Sequence, residues 1–338
     1  VNGDGFSDVI VGATVWDGAA TDEGRAYLYL GSASGLALAP TWTADPTDQA
    51  YADFGWSVAS AGDVNGDGFS DVLVGAGQWS GAATSEGRAY LYLGSASGLA
   101  LTPAWTADPT DQSNAYFGTP VASAGDVNGD GFGDVLVGAY SWGGAATDEG
   151  RAYLYLGSAS GLATTAAWTA DPTDQPGALF GRPVASSGDV NGDGFGDVIV
   201  GAQWWNGAAA GEGRAYLYLG SPSGLALAPA WTADPTDQAG AVFGLSVASA
   251  GDVNGDGFAD VIVGAYGWDG AATDEGRAYV YYGGDGAPGL GRALAQYRAD
   301  GTTRIGVGNL AGGTTVVLAG RVTQENGVGG RLALEVEV

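Results

Sequence analysis

The chain of 338 residues contains no cysteine, no histidine, no methionine and no lysine. Without cysteine there is no disulfide. Without cysteine or histidine, neither a zinc site of the usual kind nor Ser/His/Asp or Cys/His nucleophilic catalysis can be assembled within the chain. Arginine supplies all 11 cationic side chains against 38 acidic ones, a net charge of −27. That balance disfavours nucleic acid as a partner and favours cations. No apolar run approaches the ~18 residues of a membrane span, so no membrane insertion is expected. No N-terminal segment reads as a signal peptide either, although the chain opens inside a repeated motif and leaves room for one upstream of Val1.

What is present repeats. The stretch DVNGDGFSD at 63–71 returns as DVNGDGFGD at 126–134 and 189–197 and as DVNGDGFAD at 252–260, and a copy without its leading Asp opens the chain. Asn2, Asn65, Asn128, Asn191 and Asn254 are separated by one step, since 65−2, 128−65, 191−128 and 254−191 all give 63 residues. A fixed period overrides any division of the length into ordinary domains, because stacked units share a continuous core. The 63 glycines recur at fixed places beside Val, Ile, Tyr and Trp, which reads as turn-rich β-structure rather than a flexible linker.

Within the unit 54–108, β-like runs fall near 56–61, 71–76, 88–93 and 103–107, with Gly/Asp/Ser turns between them and no sustained helical period. Four short strands per repeat describe a blade of a β-propeller better than a turn of a solenoid, whose units are usually shorter. The expected fold is therefore all-β, a propeller of four-stranded blades over residues 1–300 with five repeats, the first incomplete. Residues 301–338 read as a short C-terminal β module, either part of a β-sandwich or strands that close the ring. Tyr90, Leu91, Tyr92 and Leu93 are expected to fill the spaces between blades.

The Asp-rich turn suits a hard cation, which takes six to eight oxygen ligands at ~2.3–2.6 Å. In the copy at 63–71, Asp63, Asn65 and Asp67 alternate, Phe69 offers its carbonyl, Asp71 closes the loop and Gly68 permits the reversal. The same reading assigns Asp126, Asn128, Asp130, Phe132 and Asp134; Asp189, Asn191, Asp193, Phe195 and Asp197; and Asp252, Asn254, Asp256, Phe258 and Asp260. Asn2, Asp4 and Asp8 remain of the first copy. One Ca²⁺ per repeat, four to five in all, is the expectation. An EF-hand would need Glu at the twelfth position, where Val74 stands, and flanking helices. A plain Asn-Gly/Asp-Gly hairpin would explain one copy, but not carboxylates at alternating positions in four complete copies, which repel when unbalanced.

These residues resemble the FG-GAP repeats of integrin α-subunit propellers and their bacterial relatives. The matching pieces are Phe54–Gly55, Phe117–Gly118, Phe180–Gly181 and Phe243–Gly244, the DVNGDG loop, and VGA at 74–76, 137–139, 200–202 and 263–265. The resemblance covers about residues 1–282. It departs at the proline that usually follows GA, replaced by Thr14, Gly77, Tyr140, Gln203 and Tyr266. It implies one blade per unit, calcium in the hairpin between the first two strands on one face, and ligands on the opposite face. It also implies seven blades, so the five loops here are read as a fragment of a longer propeller, with ring closure by the tail as the alternative.

On the face away from the hairpins, the loops WDGAATDEG and DPTDQ and their counterparts carry Trp16, Trp79, Trp142, Trp205 and Trp268, with an extra Trp204 in the fourth copy. These rings beside carboxylates are candidate contacts for a protein or glycan ligand; the competing reading places them as plugs between blades. Glu23, Glu86, Glu149, Glu212 and Glu275 each precede Gly–Arg and are expected to make local ion pairs with Arg25, Arg88, Arg151, Arg214 and Arg277. The functional expectation is a calcium-binding extracellular or cell-surface adhesion or binding module that is not an enzyme. The alternatives are a spacer in a larger surface protein and a non-catalytic propeller attached to a hydrolase. Every abundant carboxylate recurs once per unit, which suits structure better than a single active site built on a carboxylate pair.

Overall fold

A computed structural model describes residues 1–284 and the strands at 295–297, 304–305, 315–323 and 329–337. The repeat dictates a series of separate antiparallel sheets. The first has three strands, β1 (Val9–Ala13), β2 (Arg25–Tyr29) and β3 (Trp42–Ala44). Three complete four-stranded sheets follow: β4 (Phe54–Gly62) to β7 (Trp105–Ala107), β8 (Phe117–Gly125) to β11 (Trp168–Ala170), and β12 (Phe180–Gly188) to β15 (Trp231–Ala233). Between their ends lie β5 (Asp71–Ala76), β6 (Arg88–Tyr92), β9 (Asp134–Ala139), β10 (Arg151–Tyr155), β13 (Asp197–Ala202) and β14 (Arg214–Tyr218). The fifth sheet again has three strands, β16 (Phe243–Gly251), β17 (Asp260–Ala265) and β18 (Arg277–Tyr281). The first strands β4, β8, β12 and β16 lie against one another in sequence order, as the inner strands of propeller blades do.

The core sits between blades. Side chains alternate across a strand, so β6 sends Tyr90 and Tyr92 toward the first blade, where they meet Leu28 and Trp42, and sends Leu91 toward the third, where it meets Phe117 and Tyr155. The expectation that this run fills the spaces between blades holds: these three residues are buried, and Leu93, half-buried, packs against the same core as Leu91. Trp42 packs edge-on to Tyr92 at 4.9 Å and donates its indole N–H across the interface to the carbonyl of Ala100 at 2.9 Å; Trp105 and Trp168 repeat both contacts one and two blades later. The buried indole is thereby satisfied where it would otherwise cost free energy.

Two glycine motifs explain each other at these interfaces. The glycine of each of the first four Val–Gly–Ala runs lies against the glycine of the next Phe–Gly: a Cβ added to Gly138 would fall 3.2 Å from the Gly181 carbonyl carbon, and Gly12, Gly75 and Gly201 meet Gly55, Gly118 and Gly244 in the same way. Gly181 adopts φ +87°, and a Cβ there would lie 2.6 Å from the Arg151 carbonyl oxygen. Only glycine tolerates both the conformation and the approach.

β19 (Ala295–Tyr297) pairs with β20 (Arg304–Ile305) and β21 (Thr315–Thr323), and β21 with β22 (Gly329–Glu337). The expected end of the fifth blade near residue 300 lies outside the described residues.

Candidate metal hairpins and the opposite face

The Asp-rich hairpins join the first and second strand of the second to fifth sheets, and the opening copy leads into β1. In the loop after β4, Asp63 Oδ1 accepts the amides of Gly66 and Asp67 at 2.7 and 3.1 Å, and Oδ2 accepts that of Gly68 at 2.8 Å. Asn65 Nδ2 donates to Asp67 Oδ2 at 2.9 Å, and Asp67 Oδ1 accepts the Phe69 amide at 3.0 Å. The same bonds recur around Asp126, Asp189 and Asp252. Gly66 and Gly68 take φ +72° and +89°, the left-handed region that the turn demands. The loops are also knitted along the rim. Phe132 lies over Gly66, Phe195 over Gly129 and Phe258 over Gly192, each so close that a Cβ would meet the ring at 2.5–2.7 Å.

The last carboxylate of each loop is the most buried. Asp71 is fully buried, with Oδ2 accepting the Val64 amide at 2.9 Å and Oδ1 that of Gly94 at 2.8 Å, so it ties the hairpin to the loop after β6. Asp134, Asp197 and Asp260 do the same. Burial pushes the carboxyls of Asp71 and Asp134 up to about 6 and that of Asp197 to about 7, against the pull of their amide partners. Neighbouring loop carboxylates add to the rise, because no guanidinium among the described residues lies within ion-pair distance of the four complete loops. In the opening copy Asp4 Oδ1 accepts the Phe6 amide, while Asp8 accepts the Gly31 amide and the Val1 amino group.

This donor set fits a hard divalent cation in chemistry: only oxygens, three carboxylates and an amide within nine residues, none of them neutralised. In the described arrangement the oxygens point to the loop's own amides. Among the described residues, no group of three or more acidic side chains converges to metal-holding distance. Each carboxylate oxygen has a second lone pair, so Asp63, Asn65, Asp67, Asp71 and the Phe69 carbonyl, with their counterparts, are the groups that would hold the ion.

Antiparallel strands place the other ends of β4, β8, β12 and β16 on the opposite face, about 25 Å away at ~3.3 Å per residue. There the recurrent tryptophans are committed to a repeated stack. Arg25 lies over Trp16 at 3.5 Å from the ring centroid, and Arg88, Arg151, Arg214 and Arg277 lie over Trp79, Trp142, Trp205 and Trp268 at 3.4–3.6 Å. All five rings are half-buried, and Trp79, Trp142, Trp205 and Trp268 pack against the inter-blade cores. Trp204 stands apart with 45% of its surface exposed.

The local Glu–Arg pairing is not what forms. Ala26 pairs with Ala44 across the sheet, which sets Arg25 opposite Asp45, and the guanidinium ion-pairs there; Arg88, Arg151 and Arg214 pair likewise with Asp108, Asp171 and Asp234. Glu23, Glu86, Glu149 and Glu212 are buried instead, Glu149 Oε1 and Oε2 each accepting one amide, from Ala145 and Ala146, at 3.0 Å, while Glu275 is exposed. The DPTDQ loops are stitched across blades: Gln112 Nε2 donates to the Gly143 carbonyl at 2.8 Å while Oε1 accepts the Gly143 amide at 2.6 Å, and Gln49, Gln175 and Gln238 make matching clips.

Against this regular background one cluster breaks the repeat. Tyr116 and Tyr140 stack in parallel at 5.1 Å, and Arg182 lies 4.7 Å above the Tyr140 ring. The corresponding positions in other units hold Asp53, Leu179 and Val242, then Thr14, Gly77, Gln203 and Tyr266, then Trp56, Thr119 and Leu245. Gln203 Oε1 and Thr119 Oγ1 are buried without a hydrogen-bond partner. The signal for this cluster lay in the sequence as the variable residue after each Gly–Ala, but the stacking of residues from adjacent blades was not legible there.

The comparisons with known proteins agree with this geometry. The FG-GAP repeat family matches residues 54–92, 117–155, 182–218 and 243–281, which are strands one to three of the last four blades. Integrin alpha-IIb of Homo sapiens is 34% identical over 234 residues, covering 66% of this chain and 21% of that protein. Integrin alpha-5 of Xenopus laevis is 32% identical over 242 residues, covering 69% and 22%. Integrin alpha-IIb of Mus musculus is 36% identical over 162 residues, covering 46% and 15%. The chain spans about a fifth of the length of the first two. With four matched repeats lying on four consecutive blades, the chain is an FG-GAP repeat protein with an integrin α-like β-propeller.

Proposed function

We infer that this propeller is a calcium-stabilised, extracellular or cell-surface module that binds a protein or carbohydrate ligand and has no catalytic activity of its own. The observation that carries the reading is the separation of two faces. One bears superposable, uncompensated carboxylate hairpins; the other bears the only aromatic and cationic cluster among the described residues that breaks the repeat. Calcium, one per hairpin, would neutralise the loop carboxylates. It would be held by Asp63, Asn65, Asp67, Phe69 and Asp71 and their counterparts at 126–134, 189–197 and 252–260, and by Asn2, Asp4 and Asp8 in the opening copy.

Ligand contact is assigned to Trp204, Tyr140 and Arg182, because the five other loop tryptophans already have a guanidinium on one ring face. The buried carboxyls favour a non-catalytic reading, since each recurs once per blade with both oxygens on backbone amides. Printed arrays of matrix proteins and glycans test the proposal. Capture in calcium that falls in Trp204→Ala and Arg182→Ala, with unchanged melting temperature, supports it. Capture unaffected by both changes removes this site, and an array without any hit favours the spacer reading. Among the described residues no helix is long and apolar enough to cross a membrane.

A further inference from the structure

In an Asn–Gly pair the glycine nitrogen can attack the side-chain carbonyl of the asparagine before it, because glycine has no Cβ to screen the approach. Whether it does depends on how the two groups are held. In the four complete hairpins both are committed. The Gly66 amide donates to Asp63 Oδ1 at 2.7 Å, and Gly129, Gly192 and Gly255 donate to Asp126, Asp189 and Asp252 at the same distance. The nitrogen that would leave is held as well: Nδ2 of Asn65, Asn128, Asn191 and Asn254 donates to the carboxylate two residues on, at 2.7–2.9 Å.

Asn206–Gly207, in the loop that carries Trp204, is held differently. Both residues are exposed. Among the described residues the Gly207 amide has no acceptor, whereas Gly18 and Gly270, at the same place in the first and fifth units, donate to the carbonyls of Ala20 at 3.3 Å and Ala272 at 3.1 Å. Asn206 Nδ2 has none either; the bonds of this residue are the Gln175 clip on its backbone and the Gly211 amide, which donates to Oδ1 at 2.7 Å. That N–H sits where negative charge develops on Oδ1 when a nucleophile adds to Cγ. A carboxylate is already accepted at this place, since Asp17 Oδ1 and Asp269 Oδ1 take the amides of Asp22 and Asp274 at 2.8 and 2.6 Å.

We propose that Asn206 is a site of spontaneous intramolecular deamidation, with water as the only co-reactant. Hydroxide takes the Gly207 amide proton, and the nitrogen bonds to Asn206 Cγ. The bond from Cγ to Nδ2 then breaks, and Nδ2 leaves as ammonia with a proton from water. Water adds to one carbonyl of the resulting cyclic imide and opens it. Opening at Cγ gives aspartate, which keeps the Gly211 bond as Asp17 and Asp269 keep theirs; opening at the backbone carbonyl gives the β-linked isomer. One water is consumed, one ammonia is released and nothing is oxidised. Either product adds a negative charge beside the Trp204–Trp205 pair.

The test incubates the full folded chain in mildly alkaline buffer, cleaves it after arginine and follows each asparagine by mass spectrometry, with fragment spectra separating Asn191 from Asn206 within their shared peptide. Replacement of the amide nitrogen by oxygen is expected at Asn206, faster as pH rises. The asparagines of the four complete hairpins should convert roughly tenfold more slowly or less, because a hydrogen bond to a carboxylate must break first. In urea that difference should vanish. Asn206→Gln, which would have to close a larger ring, should stay unconverted, and Asn206→Asp should melt with the parent. An intact Asn206 in the folded chain, equal conversion at the hairpins, or the same ranking in urea, which would make it a property of local sequence alone, would each overturn the proposal.

Discussion

Substituting two glycines of nearly equal φ separates the cost of a backbone conformation from the cost of a close approach. Gly131, in the third hairpin, has φ +88° and no atom within 4 Å of a Cβ placed on it. Gly131→Ala should therefore cost only the conformational penalty, about 1–2 kcal/mol, reduced by the entropy that alanine removes from the unfolded chain. Gly181 has φ +87°, yet its Cβ would lie 2.6 Å from the Arg151 carbonyl oxygen and 3.1 Å from its carbon. Both are backbone atoms of the preceding blade and cannot swing aside. The strand must lift, and the residue it carries is Phe180, fully buried and edge-on to Tyr216 at 5.2 Å. Unseating a core phenylalanine costs about 3–5 kcal/mol, so Gly181→Ala should lose about 3–5 kcal/mol or more. Repeat arrays unfold by intrinsic and neighbour terms, so urea unfolding should be read at two probes, blade fluorescence and hydrogen exchange. Gly181→Ala should open blades three and four first. Equal losses for the two variants would refute the claim that Phe–Gly and Val–Gly–Ala glycines exist to let backbones meet.

Glu149→Ala removes the acceptor of the Ala145 and Ala146 amides; Ala145 is exposed and Ala146 half-buried, so water replaces it in part. A loss of about 1–3 kcal/mol is expected, while Glu149→Gln should lose less; equal stability of the alanine variant in urea would remove the buried-cap reading. Asp53 is buried, hydrogen-bonded by Gln78, and its carboxyl is pushed up by desolvation, with Asp22 adding to the rise. The folded state thus binds this proton up to a higher pH than the unfolded chain does. Its contribution is favourable below the ordinary carboxylate range and is lost as pH rises through the raised value. Asp53→Asn should accordingly melt higher than the parent at pH 7 and level with it at pH 4. A variant that melts lower at pH 7 would contradict this sign.

The fold was legible because the determinants of a blade are local. Asn-Gly and Asp-Gly turns, β-branched runs and the invariant 63-residue step mark every strand of the three complete sheets to within two residues. The hairpin loops were legible for the same reason: Asp63 to Asp71 make their contacts within nine residues and to the start of the next loop. Pairings set by register were not. Glu23 and Arg25 are neighbours in sequence, but the antiparallel pairing of β2 with β3 hands the guanidinium to Asp45, and the carboxylate turns back into its own loop. Gln112 reads as a loop amide until the adjacent blade brings the Gly143 backbone within reach. The stack of Tyr116, Tyr140 and Arg182 needs two blades in place before it exists.

The central claim is that the hairpins are cation sites on which the propeller depends. Calorimetric titration of calcium into the chelator-treated chain, paired with thermal unfolding in calcium and in chelator, tests it directly. At free calcium ~100 times the dissociation constant, each site that binds only the folded state adds ~2.7 kcal/mol. Four or five sites and a large upward shift of the melt are predicted. No binding heat and coincident melts in calcium and chelator would reduce DVNGDG to a self-satisfied turn and contradict the account.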